Sequence, residues 1–581
     1  MNRIFILFGL VTTAMLVTCS GKREENRELV ASEAFSSFVD AYFDAYFTTY
    51  PSQGTAAGFH QYDGRLENMS PAAIEQRIGG LKELQRRLLD LRSRPMSSDD
   101  TIDAEILESQ IRAELLELEV VEGWKSNPML YISLAGNAIH GLIKRDFAPP
   151  AERLKSVIAR LEAVPAMFRA MRENVSSPPK EFTDIAINIA GGSLGFFKGT
   201  IAGWAKEAGA GNAELLQRFD RASQAAVAEL EASLAWLKKD LVRSSEGSYS
   251  IGTKTFQRKL LYEDMVDLPL EKVLAIGEAN LEKDHQAFVE TARKIDATKT
   301  PGEVMKLISS DHPDAEDLIP AVKRTVEAAR QLLIDKRIIT IPSEVRPAIL
   351  ETPPYARIGS FASMDTPGAY ETKATKAFYY VTPVESEWSA KHKEEYLRGF
   401  NRAVMDIINI HEAYPGHYVQ FLYSKQFPTK TRKLISCGTN AEGWAHYAEQ
   451  MMLEEGFGGG DPKVQLVQLH EALLRDCRYV VGIKLHTQGM SVEQGAKVFV
   501  EKGFQEPANA YEEARRGTYN PTYLYYTLGK LQIYKLREEY RKARGQEYSL
   551  QRFHDEFVRQ GAIPIKLVRQ ILVPSARGST L

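Results

Sequence analysis

His411-Glu412-Ala413-Tyr414-Pro415-Gly416-His417 sets two imidazoles on either side of a carboxylate. Neutral ring nitrogens that converge on one point can hold a zinc ion, and a neighbouring carboxylate can take a proton from a water activated there. In the H-E-x-x-H arrangement the histidines are four residues apart, so one helix face carries both. Here they are six apart. At ~100° per residue, a straight α-helix would leave the second imidazole roughly 120° away from the first. A shared ion therefore requires an interruption. Pro415 removes a backbone donor and disfavours helical geometry at Tyr414, and Gly416 admits dihedrals that other residues avoid. The spacing predicts a helix that breaks at Pro415-Gly416 and returns His417 to the point that His411 faces.

Downstream runs Asn440-Ala441-Glu442-Gly443-Trp444-Ala445-His446-Tyr447-Ala448-Glu449. On a helix, Glu442, His446 and Glu449 occupy i, i+4 and i+7 and share one face. Glu442 is the expected third metal ligand. His446 is either an alternative ligand or a partner that orients one. Glu449 reads as a solvated helix charge outside the ligand set. Attack on a carbonyl also needs a donor for the developing oxyanion. Tyr526 is the first candidate among the phenols of 519–526, with Tyr523 second, and His486 is a further candidate donor. Arg478, Arg515 and Arg516 are candidates to clamp a substrate carboxylate, which would favour an exopeptidase. Tyr523, Arg478 and Arg516 are thus the expected substrate-binding set.

The two histidine-containing strings are specific, and looser matches follow at Arg478-Tyr479-Val480-Val481 with His486, at Tyr526-Thr527-Leu528-Gly529-Lys530 and at Phe553-His554-Asp555. Together they resemble the DUF885 family of bacterial, often lipoprotein-anchored chains, across nearly the whole mature sequence. The resemblance implies a mostly helical fold related to the gluzincin peptidases and a zinc-dependent hydrolase activity. The expected function is a metallopeptidase. Zn2+ is held by His411, His417 and Glu442, Glu412 serves as general base, and Tyr526 or His486 donates to the oxyanion. Two alternatives stay open: a zinc hydrolase of a non-peptide amide or ester, and a non-catalytic surface lipoprotein that binds a peptide or a partner.

The elements that must position these residues are mainly helical. Apolar residues recur at three- and four-residue steps in Ile74–Leu91, Thr101–Glu122, Glu152–Val175, Ala213–Lys239, Leu270–Ala297 and Ala315–Asp335,. Glu385–Ile410 should lead into the motif as one helix, with further helices over Ala441–Glu455, Pro462–His486 and beyond Tyr511. Two β-branched and aromatic stretches, Arg337–Ile341 and Ala377–Val381, predict a small sheet near the active-site cleft. The sheet either offers an edge to extended peptide or covers the core. The expectation is a mainly α, multi-helix, zincin-like architecture. A helical N-terminal half spans 31–245 and a catalytic half 256–581, with 31–581 as one continuous unit. The polar stretch Ser244–Thr255 between them is either a hinge or a surface loop.

The chain of 581 residues is 44% hydrophobic with a formal net charge of −3. That suits a large core, and without a basic run it argues against nucleic acid as a partner. The apolar run Ile4–Val17 ends at Cys19 and a polar stretch, as in a lipoprotein leader,. The leader would occupy 1–18 and the lipidated Cys19 with its tether 19–30. The expectation is a lipid anchor in the bacterial cell envelope, facing the periplasm or in the outer membrane, with peptide as the substrate partner; the alternative is a plain secretory signal cleaved nearby, with Cys19 incidental. No other segment reads as long and apolar enough to span a bilayer. Cys437 and Cys477 are either a disulfide or two buried thiols.

Overall fold

The computed structural model describes residues 32–353, 357 and 361–581. Cys19 and the leader lie outside the described residues. The chain is mainly α-helical, with one three-stranded sheet. The principal helices are α1 (32–49), α2 (Pro71–Arg92), α3 (Ser98–Leu116), α4 (Pro128–Ile143), α5 (Pro150–Asn174), α6 (Lys180–Ala208) and α7 (Ala213–Lys239). After these come α8 (Leu270–Ile295) and α9 (Leu318–Asp335). Beyond the sheet follow α10 (Arg402–Glu412), α11 (His417–Tyr423), α12 (Gly438–Glu454), α13 (Pro462–Thr487), α14 (Pro507–Tyr519) and α15 (Tyr525–Arg544). Several start where the sequence supplies both a cap and a rigid first residue. Ser70 precedes Pro71, Asn127 precedes Pro128 and Asp461 precedes Pro462, and each cap side chain accepts a backbone N–H of the first turn,.

Two hydrophobic cores divide the chain differently from the expected halves. α4 to α7 close around their own core, from Met129 to Leu241. The apolar faces of α1, α2 and α3, including Phe35, Leu84 and Ile106, instead join the main core that runs on to Val573. The main core draws on residues before and after the expected boundary near 245–256, while the α4–α7 core ends at Leu241, just ahead of it. The reason is that α3 packs along the helix Gly252–Glu263, on the far side of that boundary. Ser244–Thr255 is pinned, because the Tyr249 hydroxyl donates to the Met490 carbonyl and Ser250 Oγ to that of His486. α6 also corrects the membrane reading. By length and composition it is apolar enough to cross a bilayer, yet it packs against α4 and α7.

The strands are β1 (Ala348–Glu351), β2 (Ala362–Asp365) and β3 (Phe378–Val381), in the order β1-β3-β2. β1 runs parallel to β3 and β2 antiparallel to it. The expected strand at Arg337–Ile341 does not form. Side chains satisfy its polar groups instead: His554 Nδ1 bonds the Ile338 carbonyl at 2.7 Å, and Asp555 accepts from the Thr340 amide at 2.8 Å. The expected long helix into the motif is two, Ala390–Gly399 and α10, because Asn401 caps a new start by accepting from the Val404 amide.

Candidate active site

α10 carries His411 and Glu412 in its last turn and stops there. The Tyr414–Pro415 peptide is cis, and α11 begins at His417. A glycine is required at 416, since a Cβ there would lie 1.7 Å from the His411 carbonyl oxygen. The Gly416 amide donates to the Ile410 carbonyl at 3.0 Å, and the Trp444 indole N–H of α12 donates to the Pro415 carbonyl at 2.9 Å. The break is thus tied at both sides. It sets the imidazoles of His411 and His417 with ring centroids 4.9 Å apart and planes at 89°.

α12 supplies the third group. Glu442 Oε2 lies 3.4 Å from His411 Nε2 and 3.5 Å from His417 Nε2. One donor atom from each of His411, Glu412 and His417 also lies within 4.8 Å of the others. His411 is buried, while Glu412, His417 and Glu442 keep part of their surface open to solvent. The Glu412 carboxylate accepts the Met364 amide of β2 at 2.9 Å, so an edge strand of the sheet lies directly over the motif helix. From the neighbouring strand β3, the Tyr379 hydroxyl donates to Asn409, two residues before His411, at 2.6 Å.

Glu449 corrects the sequence reading most sharply. It is fully buried, not solvated, and joins three partners. Its Oε1 meets His411 Nδ1 at 2.7 Å and Arg475 at 3.2 Å, and its Oε2 meets His446 Nδ1 at 3.0 Å. His446 therefore faces Glu449 and acts on the cluster only through it. Burial opposes a charge on His411, but Glu442, Glu449 and Glu412 outweigh it and push its pKa up to about 10. Glu442 is held well below the carboxylate range despite its burial, by hydrogen bonds to the two imidazoles. The carboxylates thus concentrate negative charge around the two imidazoles,.

Tyr526 stands beside the cluster, its ring 6.5 Å from that of His411. Burial, and then the charge of Glu442, push its phenol up to about 12, so it remains a donor across the physiological range. α15 reaches this position by a glycine crossing. A Cβ on Gly443 would lie 2.5 Å from the Gly529 Cα, so α12 and α15 touch backbone to backbone between Glu442 and Tyr526. The guanidiniums of Arg475 and Arg478 cover the Tyr526 ring at 5.7 and 5.2 Å, and Arg516 is directed at its hydroxyl.

Other expected residues go elsewhere. His486 is buried against Tyr249 and Phe256 and its Nε2 bonds the Gly517 carbonyl at 2.8 Å, so it is a packing residue and no oxyanion donor. Tyr523 is buried too, its ring wedged against Gly482 and Gly517 and its hydroxyl on the Glu513 carbonyl, so it cannot meet substrate. Arg478 is closed in a two-bond fork with Glu513 at 2.7 and 2.8 Å, which leaves it a support for Tyr526, not a free clamp. Cys437 and Cys477 are separate buried thiols. Nothing in the sequence points to Asn409, Met364 or Arg475, whereas Glu449 stands on the same stripe as Glu442 and His446, where it reads as a solvated charge.

The family model described as a bacterial protein of unknown function, DUF885, matches residues 51–572. This chain belongs to the DUF885 family. It is similar to the solved structure of a protein of unknown function from Shewanella oneidensis, classed by inference as a lipoprotein. That likeness has a TM-score of 0.79 at 26% identity and covers 93% of this chain and 99% of that one. A Colwellia psychrerythraea protein, also classed by inference as a lipoprotein, shares the fold at a TM-score of 0.76 and 16% identity, over 93% of this chain and 98% of that one. No curated protein matches.

Proposed function

We propose that this DUF885 member is a zinc-dependent hydrolase acting on peptides. One observation carries the reading: His411 Nε2 and His417 Nε2 lie 3.4 and 3.5 Å from the same Glu442 oxygen. Two ligands at about 2.0–2.1 Å from a tetrahedral zinc stand roughly 3.3 Å apart, so the donor set fits the ion. Bonding of His411 Nδ1 to Glu449 supports it further, by leaving Nε2 as the lone-pair donor,. A zinc ion bound there would supply the Lewis acidity that polarises a carbonyl and eases deprotonation of water.

The chain's own residues do the rest. Glu412, anchored through one oxygen by the Met364 amide, takes the proton from the attacking water and returns it to the leaving amine,. Tyr526 donates to the oxyanion. β2, at the edge of the sheet over Glu412, suits an extended peptide lying along it,. Together with Cys19 after the apolar leader, the lipoprotein class of the two similar structures supports a lipid-anchored protein of the bacterial envelope.

Metal analysis after reconstitution should give one zinc per chain. A mixed peptide library should be cut by the wild type, while Glu412→Gln keeps the metal and loses turnover by at least ~100-fold. Substoichiometric zinc, or an uncut library, overturns the reading.

A further inference from the structure

The arginines around Tyr526 differ in what they already hold. Arg475 pairs with Glu449 at 3.2 Å and with Glu471 at 2.8 Å. Arg478 is closed on Glu513, and Arg515 pairs with Glu512. Arg516 has no carboxylate ion pair among the described residues; the acid whose charge reaches it, Glu513, is already forked to Arg478. Its guanidinium is half-buried and faces the Tyr526 hydroxyl, one ring away from His411. A guanidinium withdrawn from water without an anion is unfavourable, and its planar fork matches a carboxylate in two parallel bonds.

We infer that Arg516 is the anion subsite of this centre and receives the free C-terminal carboxylate of a peptide whose scissile bond lies at His411, His417 and Glu442. The inference rests on the peptidase reading and narrows it to a carboxy-exopeptidase. An extended residue spans about 3.3–3.6 Å, so an anion held next to the Tyr526 hydroxyl stands one or two residues beyond the carbonyl under attack. The enzyme then releases single residues or dipeptides from C-terminal ends. Arg478, which the sequence offers equally, supports the Tyr526 ring from one face and contributes no free donor pair.

The test is binding, read apart from turnover. The full-length Glu412→Gln protein with zinc supplied is immobilised and offered N-acetylated tripeptides of mixed sequence, half as free acids and half as C-terminal amides, with retention read by mass spectrometry. The free acids should be retained about 10- to 100-fold more strongly, the span expected for a charge-assisted pair. Peptides with an internal aspartate and an amidated end should not share the preference, which separates the terminal carboxylate from an acidic side chain. Arg516→Gln should abolish the preference, Arg516→Lys should restore part of it, and Tyr526→Phe should keep it. Equal retention of acids and amides, retention of neither, or a preference that survives Arg516→Gln overturns the inference. Wild-type cleavage of the amidated peptides inside their chain would overturn it as well while leaving the hydrolase reading intact.

Discussion

The two ring nitrogens of His411 face opposite partners, Glu449 through Nδ1 at 2.7 Å and Glu442 through Nε2 at 3.4 Å. A buried carboxylate behind a ligand histidine fixes its tautomer and raises its basicity. Glu449→Gln should therefore lower zinc affinity about 10- to 100-fold, measured by competition with a chelator, with little change in the fold. His554 gives a separate test in acid. It is buried between the Ile338 carbonyl and the Tyr447 hydroxyl, and burial pushes its pKa down to about 3. A depressed folded-state value means stability that is whole above the unfolded pKa of about 6.5 and declines as pH falls towards the folded one. The loss attributable to this group is about 1.4 kcal/mol per pH unit below 6. Denaturant melts of wild type and His554→Gln should converge across that window, and parallel curves would refute the account. At this scale the sequence showed residue types well. His411, Glu412, His417 and Glu442 came from type and spacing alone, whereas Glu449 was misjudged because exposure on a helix depends on what packs against it.

Breaks and crossings of elements decide where those residues point. The interruption between α10 and α11 was legible, because proline and glycine act locally. Gly416→Ala should cost most of the metal affinity, more than tenfold, since a Cβ 1.7 Å from the His411 carbonyl oxygen forces the backbone apart,. The crossing of α12 on α15 was not legible, because nothing in the string says that Gly443 meets Gly529. Gly443→Ala should destabilise by about 1–3 kcal/mol through overpacking and lower turnover by moving Tyr526 away from Glu442. The β2–β3 hairpin is held from the other lobe by Arg145. Its guanidinium meets Asp365 at 2.9 Å, the Lys376 carbonyl at 2.6 Å and the Phe378 ring at 5.2 Å. Arg145→Met should leave a largely buried Asp365 with Lys144 alone and cost about 3 kcal/mol,. Hydrogen exchange at 362–365 and 378–381 should quicken, and unchanged exchange there would show that the clasp is idle.

The whole molecule is a main body whose core runs from Phe35 to Val573, with an inserted lobe of α4–α7 that clasps the edge strand through Arg145 and Asp365. At this scale Cys19 can be tested by fractionation. Wild type should sediment with membranes, and Cys19→Ala should release it to the soluble fraction; equal partition would remove the anchor. The sequence by itself determined the helical class, the limits of several long helices such as Ala213–Lys239, the break at Pro415-Gly416 and the chemical types at the centre. These follow from local rules of period, capping and backbone freedom. Only the tertiary structure decided that Glu449 lies behind His411, that His486 and Tyr523 are packing residues, that 337–341 is held by His554 and Asp555, and that Arg516 alone of its neighbours lacks a carboxylate pair among the described residues. Each depends on contacts between segments far apart in the chain, where burial and partner choice are set by packing that no local pattern encodes.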